Sequence, residues 1–142
     1  MYLLDTNVIS ELRKAGFGKA DSNVVRWADG AVTASLYLSV ISVLELELGV
    51  LQVERRDAAQ GAMLRTWLES QVMAAFDGRI LPVDAVIAKR CAQLHVPGPR
   101  AERDALIAAT ALTHGMIVVT RNAGDFEPTG VDLINPWEPL TR

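Results

Sequence analysis

Short apolar runs alternate with amphipathic stretches along this chain, and that alternation predicts strands separated by helices. Tyr2-Leu3-Leu4 is followed by Asp5-Thr6-Asn7, all helix N-cap types, and then by Val8-Ile9-Ser10-Glu11-Leu12. This reads as a buried strand that turns into a helix at Asp5 or Thr6. Residues 13–21 carry two glycines and three basic side chains and are expected to form a loop. Ser22-Asn23 is set to cap a short helix through Asp29, with Val24, Val25 and Trp27 on its inner face. Residues 34–39 alternate as a strand, and Ser39 or Ser42 caps a helix to about Val53, with Leu44, Leu48 and Leu51 at helical spacing. Residues 57–76 form a long amphipathic pattern built on Met63, Leu64, Trp67, Leu68 and Val72.

The second half repeats the alternation. Ile80-Leu81 is a short strand, Asp84 caps a helix to about Leu94, and Val96-Pro97-Gly98-Pro99 breaks the chain. An alanine-rich helix resumes over residues 100–112, and Gly115 is placed to end it before the β-branched run Ile117-Val118-Val119. A last strand spans residues 131–134, ahead of Pro136. Strands joined through helices indicate βα units, hence an α/β fold with a parallel sheet.

Composition narrows the picture. At 142 residues the chain has the size of a single domain, residues 1–142, and half of it is hydrophobic, which excludes disorder by composition. No apolar run approaches the length of a membrane span, and no secretory leader is evident, so a cytoplasmic location without membrane contact is expected. The lone cysteine, Cys91, reads as a small core residue on an apolar helix face and fits a reducing compartment. Basic residues number 14 against 17 acidic ones, a net charge of −3. That balance argues against indiscriminate polyphosphate binding and leaves open a nucleic acid held at one local site.

The chemistry lies in the carboxylates. Ligands of open α/β sheets bind beyond the carboxyl ends of the strands. Asp5 ends the first predicted strand and Thr120-Arg121-Asn122 the fourth, while Glu45 and Asp104 interrupt otherwise apolar helical stretches. An acid on an apolar face is costly unless it is paired or coordinates a cation, and hard cations such as Mg²⁺ or Mn²⁺ take carboxylate ligands. Each acid also has a plain reading. Asp5 serves as an N-cap, Glu45 points to solvent beside Glu47, Asp104 complements a helix dipole, and Asp125 is a turn residue.

Taken together these blocks resemble a known family. Leu3-Leu4-Asp5-Thr6-Asn7-Val8, Glu45-Leu46 with Gly49, Asp104 ahead of Ile107-Ala108-Ala109, Thr120-Arg121-Asn122 with Asp125-Phe126, and Leu133-Ile134-Asn135-Pro136-Trp137 look like the PIN domain. The match is to VapC-type toxin ribonucleases of toxin–antitoxin modules, in the FitB-like branch, and covers essentially the whole chain. The resemblance implies a parallel sheet of about five strands flanked by helices. It implies an Mg²⁺- or Mn²⁺-dependent endoribonuclease that cleaves structured RNA, transfer RNA among it, and inhibits translation. By position, Asp5 and Asp104 are the principal metal ligands, and Glu45 is a third acid that ligates or helps activate the nucleophile. Asn122 stands where some relatives carry Asp, with Asp125 as its candidate substitute; Thr6, Asn7, Thr120 and Asn122 are supporting residues. A cognate VapB-type antitoxin is implied, as are a homodimer, higher-order complexes, and DNA contact only through the antitoxin.

Such chemistry needs no histidine, and His95 and His114 read as surface residues without acidic partners. Arg13, Lys14, Arg100, Arg103 and Arg121 are candidates for RNA phosphate contact, or equally solvated surface charge. Trp27, Trp67 and Trp137 read as packing anchors. Two other classes stay open. An Asp-phosphorylated receiver or phosphatase would want a lysine at a later strand end, where this chain has Thr120-Arg121. A non-catalytic PIN-like binding module would explain Asn122 but not three retained acids.

Overall fold

The computed structural model describes residues 1–139. Five parallel strands, β1 (Tyr2–Leu4), β2 (Leu36–Ser39), β3 (Ile80–Leu81), β4 (Ile117–Val119) and β5 (Leu133–Ile134), form a sheet in the order β3-β2-β1-β4-β5. The chain leaves β1 toward one edge and returns through β4 on the other side, so the sheet order reverses between β1 and β4. That reversal opens a crevice at the strands' carboxyl ends.

Both faces of the sheet are covered, which explains why its strands are continuously apolar. Neighbouring strand residues point to opposite sides. Leu4 and Val119 join Val8, Leu38, Leu46, Val50, Leu68 and Phe76 on one face. Leu3 and Val118 join Ile107, Ala108, Ala111 and Phe126 on the other. The small side chains of α6 (Glu102–His114) let that helix lie close to the sheet and to α5 (Ala85–Leu94), where Ala105 and Ala109 meet Ile87 and Cys91.

The helices start where short polar side chains reach back to free N–H groups. Asp5 caps α1 (Thr6–Arg13), Ser39 caps α3 (Val40–Arg56) through a 3.0 Å bond from Ile41 N–H, and Asp84 caps α5 through Ile87 N–H at 2.9 Å. For α2 (Ser22–Gly30) the cap is Asp21, one residue before the expected Ser22, because its Oδ1 accepts from Asn23 and Val24 N–H. The expected loop at residues 13–21 contains a 3₁₀ turn, Lys14–Phe17, and another, Thr33–Ser35, replaces the start of the expected second strand. Helix α4 (Ala58–Trp67), capped by Asp57, continues into a π turn at Leu68–Met73. At Gly61 the helix crosses α3 so closely that a Cβ there would lie 2.5 Å from Glu54 Cα.

Leu44, Leu48 and Leu51 form the outer side of α3, between 38% and 50% exposed, while Ile41, Ser42, Leu46 and Val50 turn inward. The helix carries two apolar stripes, and the core takes the other one. Met63 is likewise exposed.

Candidate active site

The register of the sheet assembles the site. Leu4 pairs with Val119 across β1 and β4, so Asp5 and Thr120 are the next residues out on adjacent strands. Leu3 pairs with Tyr37, which brings the start of α3, after Ser39, beside the same point. Asp5, Glu45 and Asp104 therefore line one pocket of about 420 Å³, together with Thr6, Asn7, Lys14, Arg121, Asn122 and Trp137.

Asp5 is 6% exposed and tightly held. Its Oδ1 accepts from Thr6 N–H at 2.8 Å and its Oδ2 from the buried Thr120 hydroxyl at 2.8 Å. Thr120 Oγ1 in turn accepts from Asn122 N–H at 3.0 Å. Asn7 Nδ2 lies 3.4 Å from both Asp5 Oδ2 and Thr120 Oγ1, while Asn7 Oδ1 accepts from Arg121 N–H. Glu45 is held from below: Thr6 Oγ1 donates to its Oε1 at 2.6 Å and lies 3.1 Å from Ser42 Oγ. Arg103 reaches Glu45 Oε2 at 3.7 Å from the rim.

Charge in this pocket is not balanced. Burial pushes the Asp5 carboxyl above the usual carboxylate range, and the charges of Asp104 and Glu45 push it further, against the hydrogen bonds from Thr120 and Thr6. Asp104 is raised as well, by burial first and then by Asp125 and Glu45. Carboxylates crowded together and partly withdrawn from water are a place for a divalent cation, and an all-oxygen donor set suits Mg²⁺ or Mn²⁺. Among the described residues, the acids of the pocket do not form a group whose ligand atoms all lie within 4.8 Å. Glu45 is turned toward Thr6 and Arg103, and its charge acts on both Asp5 and Asp104.

The remaining sequence candidates fall into different places. Asp125 is exposed and outside the pocket lining, and it reaches Asp104 through charge. Asn122 lines the pocket itself. Arg13 lies over the rings of Phe17 and Trp67 in a neighbouring groove, and Arg100 is spent on Leu94 C=O through Nε at 2.6 Å. His95 does have an acidic partner: its Nε2 lies 3.0 Å from Glu102 Oε2. Trp137 packs against the core, as expected, and also lines the pocket.

Three residues lining the pocket, Ser10, Glu11 and Trp137, are not among the sequence's site candidates. Glu11 is 9% exposed, takes Lys14 Nζ at 3.1 Å and Asp21 N–H at 2.8 Å, and is held below the usual carboxylate range, chiefly by the Asp21 amide. The sequence does carry a signal for it: Asn7, Ser10, Glu11 and Lys14 recur at i, i+3, i+4 and i+7, a polar stripe on α1 that all faces the pocket.

Comparison with known proteins agrees with this fold. The PIN domain matches residues 2–130. VapC ribonuclease Y4jK of Sinorhizobium fredii is 40% identical, with 98% of this chain and 99% of the relative covered. Toxin FitB of Neisseria gonorrhoeae is 38% identical, with 96% and 99% covered. The crystal structure of FitAcB from the same organism superposes with a TM-score of 0.87 at 38% identity, covering 96% of this chain and 99% of that one. The structure of FitAB bound to an IR36 DNA fragment gives a TM-score of 0.88 at 36% identity, with 99% of both chains covered. The fold and nearly the whole length of the chain thus match these relatives, and the chain belongs to the PIN-domain family, among its VapC and FitB toxins.

Proposed function

We propose that this chain is the toxin of a toxin–antitoxin module, a Mg²⁺- or Mn²⁺-dependent endoribonuclease that cleaves structured RNA, with transfer RNA the first class to test, and so inhibits translation. The convergence of Asp5, Glu45 and Asp104 on one pocket, with Asp5 and Asp104 raised by burial and by neighbouring acids, carries this reading. Ribonuclease and toxin names among full-length relatives support it.

Asp5 and Asp104 would hold the cation, and Glu45 would complete the acidic set. When bound, the cation supplies Lewis acidity toward water and toward the phosphoryl oxygens. Thr120 and Thr6 N–H favour the ionised form of Asp5 against the cost of its burial and fix it in one orientation. Glu45, anchored by Thr6 at one oxygen, is the carboxylate placed to accept the proton of the attacking water. Lys14, Arg121 and, at the rim, Arg103 are cations available to flanking phosphates. The lysine of this pocket comes from the end of α1 and pairs with Glu11, whereas a phosphorylated receiver would need one at a later strand end.

The partner we propose is a VapB-type antitoxin, as the toxin–antitoxin complexes among the structural relatives suggest. An apolar groove of about 520 Å³ between the Lys14–Phe17 turn and α4 is lined by Arg13, Phe17, Met63, Trp67 and Gln71. Arg13 lines this groove and its sequence neighbour Lys14 lines the acidic pocket, so both openings border the same stretch of chain. The exposed stripe Val40, Leu44, Leu48 and Leu51 is the surface we assign to a homodimer, from which higher-order complexes would be built. With a net charge of −3 on the toxin, DNA contact is left to the antitoxin.

The test is incubation of antitoxin-free protein with a transfer-RNA pool, with and without Mn²⁺, beside Asp5→Asn and Asp104→Asn. Cleavage that needs metal and is lost in both variants is expected. Metal-independent cleavage, or full activity in either variant, would refute the assignment.

A further inference from the structure

The pocket is not lined by carboxylates alone: Lys14, Arg121 and Trp137 line it too. The Arg121 guanidinium carbon lies 5.2 Å from the centre of the Trp137 ring, a cation–π stack. Both partners are fixed by their backbones. Trp137 N–H donates to Asn135 Oδ1 at 3.0 Å, Trp137 C=O accepts from Asn23 Nδ2 at 2.9 Å, and Asn135 Nδ2 donates to Arg121 C=O at 3.4 Å. Beneath them, buried Glu11 holds Lys14, and its charge is felt by Arg121. Phosphate recognition alone would need only the cations. A planar guanidinium backed by an indole, with Arg121 itself exposed, offers a flat stacking face in addition.

A nucleobase fits that face, and only an unpaired one can reach it, because bases within a duplex are stacked on their neighbours. We propose that Arg121 and Trp137, with Lys14, form a nucleotide subsite that takes one unpaired base and its phosphate beside the scissile bond. This rests on the ribonuclease reading and sharpens it: the cut would fall in a loop or other single-stranded segment of the RNA. Trp137 gives the stack its aromatic backing, Arg121 supplies the plane and a charge, Lys14 supplies a second charge, and Glu11 is a positioning residue behind it.

The test uses two readouts on the whole chain. In the Asp104→Asn background, binding of a short mixed-sequence single-stranded RNA is compared with the same RNA annealed to its complement, by fluorescence anisotropy. In the active protein, KM and kcat are measured on the transfer-RNA pool with Mn²⁺. Trp137→Leu keeps an apolar side chain in the core but removes the ring, and Trp137→Phe keeps an aromatic face. Single-stranded RNA should bind more tightly than the duplex, and Trp137→Leu should weaken it roughly ten- to a hundred-fold. Trp137→Phe should recover most of that loss, while Arg121→Lys, which keeps the charge without the plane, should not. On the active protein Trp137→Leu should raise KM with a much smaller change in kcat. Equal binding of both RNAs, or a Trp137→Leu variant that melts like the wild type and keeps its KM and its affinity, overturns the subsite. RNA binding with the predicted preference but no cleavage under any metal would instead overturn the ribonuclease reading and leave the subsite standing.

Discussion

Two titratable clusters share helix α6. Asp104 belongs to the acidic pocket, and Glu102, half a turn before it, belongs with Cys91 and His95 at the junction of α5 and α6. By ligand type and spacing the α5–α6 cluster is the better match to a metal site, since its three ligand atoms lie within 4.8 Å of one another. Its hydrogen bonds say otherwise. His95 Nδ1 accepts from Arg100 N–H at 3.0 Å, which leaves the proton on Nε2 to be donated to Glu102 Oε2 at 3.0 Å. A metal on Nε2 would require Nδ1 to carry a proton, and the Arg100 amide already points at that nitrogen. Burial, then Glu102, keeps Cys91 a thiol, above its usual range. The pocket has the opposite character: acids face acids, and burial makes their charge costly. Crowding of ligand types does not mark an ion site; charge left uncompensated does.

The largest effect that would break this contrast is on catalysis. Asp104→Asn should lower metal-dependent cleavage by at least about a hundredfold, since a ligand carries more than the ~10–100-fold typical of residues that only orient one. Initial rates on a transfer-RNA pool with Mn²⁺ measure it, and near-normal rates would remove Asp104 from the cation site. Thr120→Val should fall within that ~10–100-fold range. It removes the donor to Asp5 Oδ2 and strands the Asn122 amide, so stability should drop by about 1–3 kcal/mol as well. A Thr120→Val protein with wild-type rates would show that Asp5 needs no such support.

The sharper test is stability against pH. The folded state raises Asp104 and Asp5 above their unfolded values, so their favourable contribution is complete below the ordinary carboxylate pKa of about 4 and is lost as pH rises through the raised values. Without metal, Asp104→Asn should therefore melt a few degrees higher than the wild type near neutral pH, and the gap should close on acidification. Mn²⁺ should raise the wild-type Tm and leave that of Asp104→Asn far less changed, because a cation that binds only the folded state stabilises it. Zn²⁺ should shift the wild type and a Cys91→Ala variant by the same amount. A Zn²⁺-dependent gap between those two would turn the α5–α6 cluster into a metal site after all.

The contrast also shows what is legible in the sequence. Strands, caps and acids are local signals: Asp5 before a helix and the β-branched Ile117-Val118-Val119 can be read residue by residue, and the five-strand parallel sheet follows. The convergence of Asp5, Glu45 and Asp104 is legible only through family resemblance, since helix and strand periods do not state which helices meet. The inward face of α3 is ambiguous in the sequence because two apolar stripes compete on it, and only packing against β2 and α4 decides between them. His95 and Glu102 are seven residues apart on either side of a proline-rich turn, so their pairing is a product of the loop's path. Glu11 is hidden for a different reason: its partners are a lysine one turn on and a backbone amide ten residues away, and only the first of these is written in a helical period.

The smallest expected effects separate acids that only look alike. Asp125 is exposed and reaches Asp104 through charge alone, so Asp125→Asn should cost only a few-fold in cleavage, well short of Asp104→Asn; equal losses would make Asp125 a ligand. Glu102→Gln should cost less still. Glu102 is 68% exposed, and a glutamine oxygen can still accept from His95 Nε2–H while its NH2 group takes the place of the oxygen beside the Cys91 sulfur, so the α5–α6 turn should keep its shape and stability should change by less than about 1 kcal/mol. Its helix neighbour Asp104 would keep its own surroundings, because the acids that raise it are Asp125 and Glu45 and not Glu102. Cleavage within about twofold of wild type is the expected result, against the hundredfold loss from a substitution two positions along the same helix. A comparable loss in both would mean that the two clusters act as one site, and that matched hydrogen bonds do not separate a structural cluster from a catalytic one.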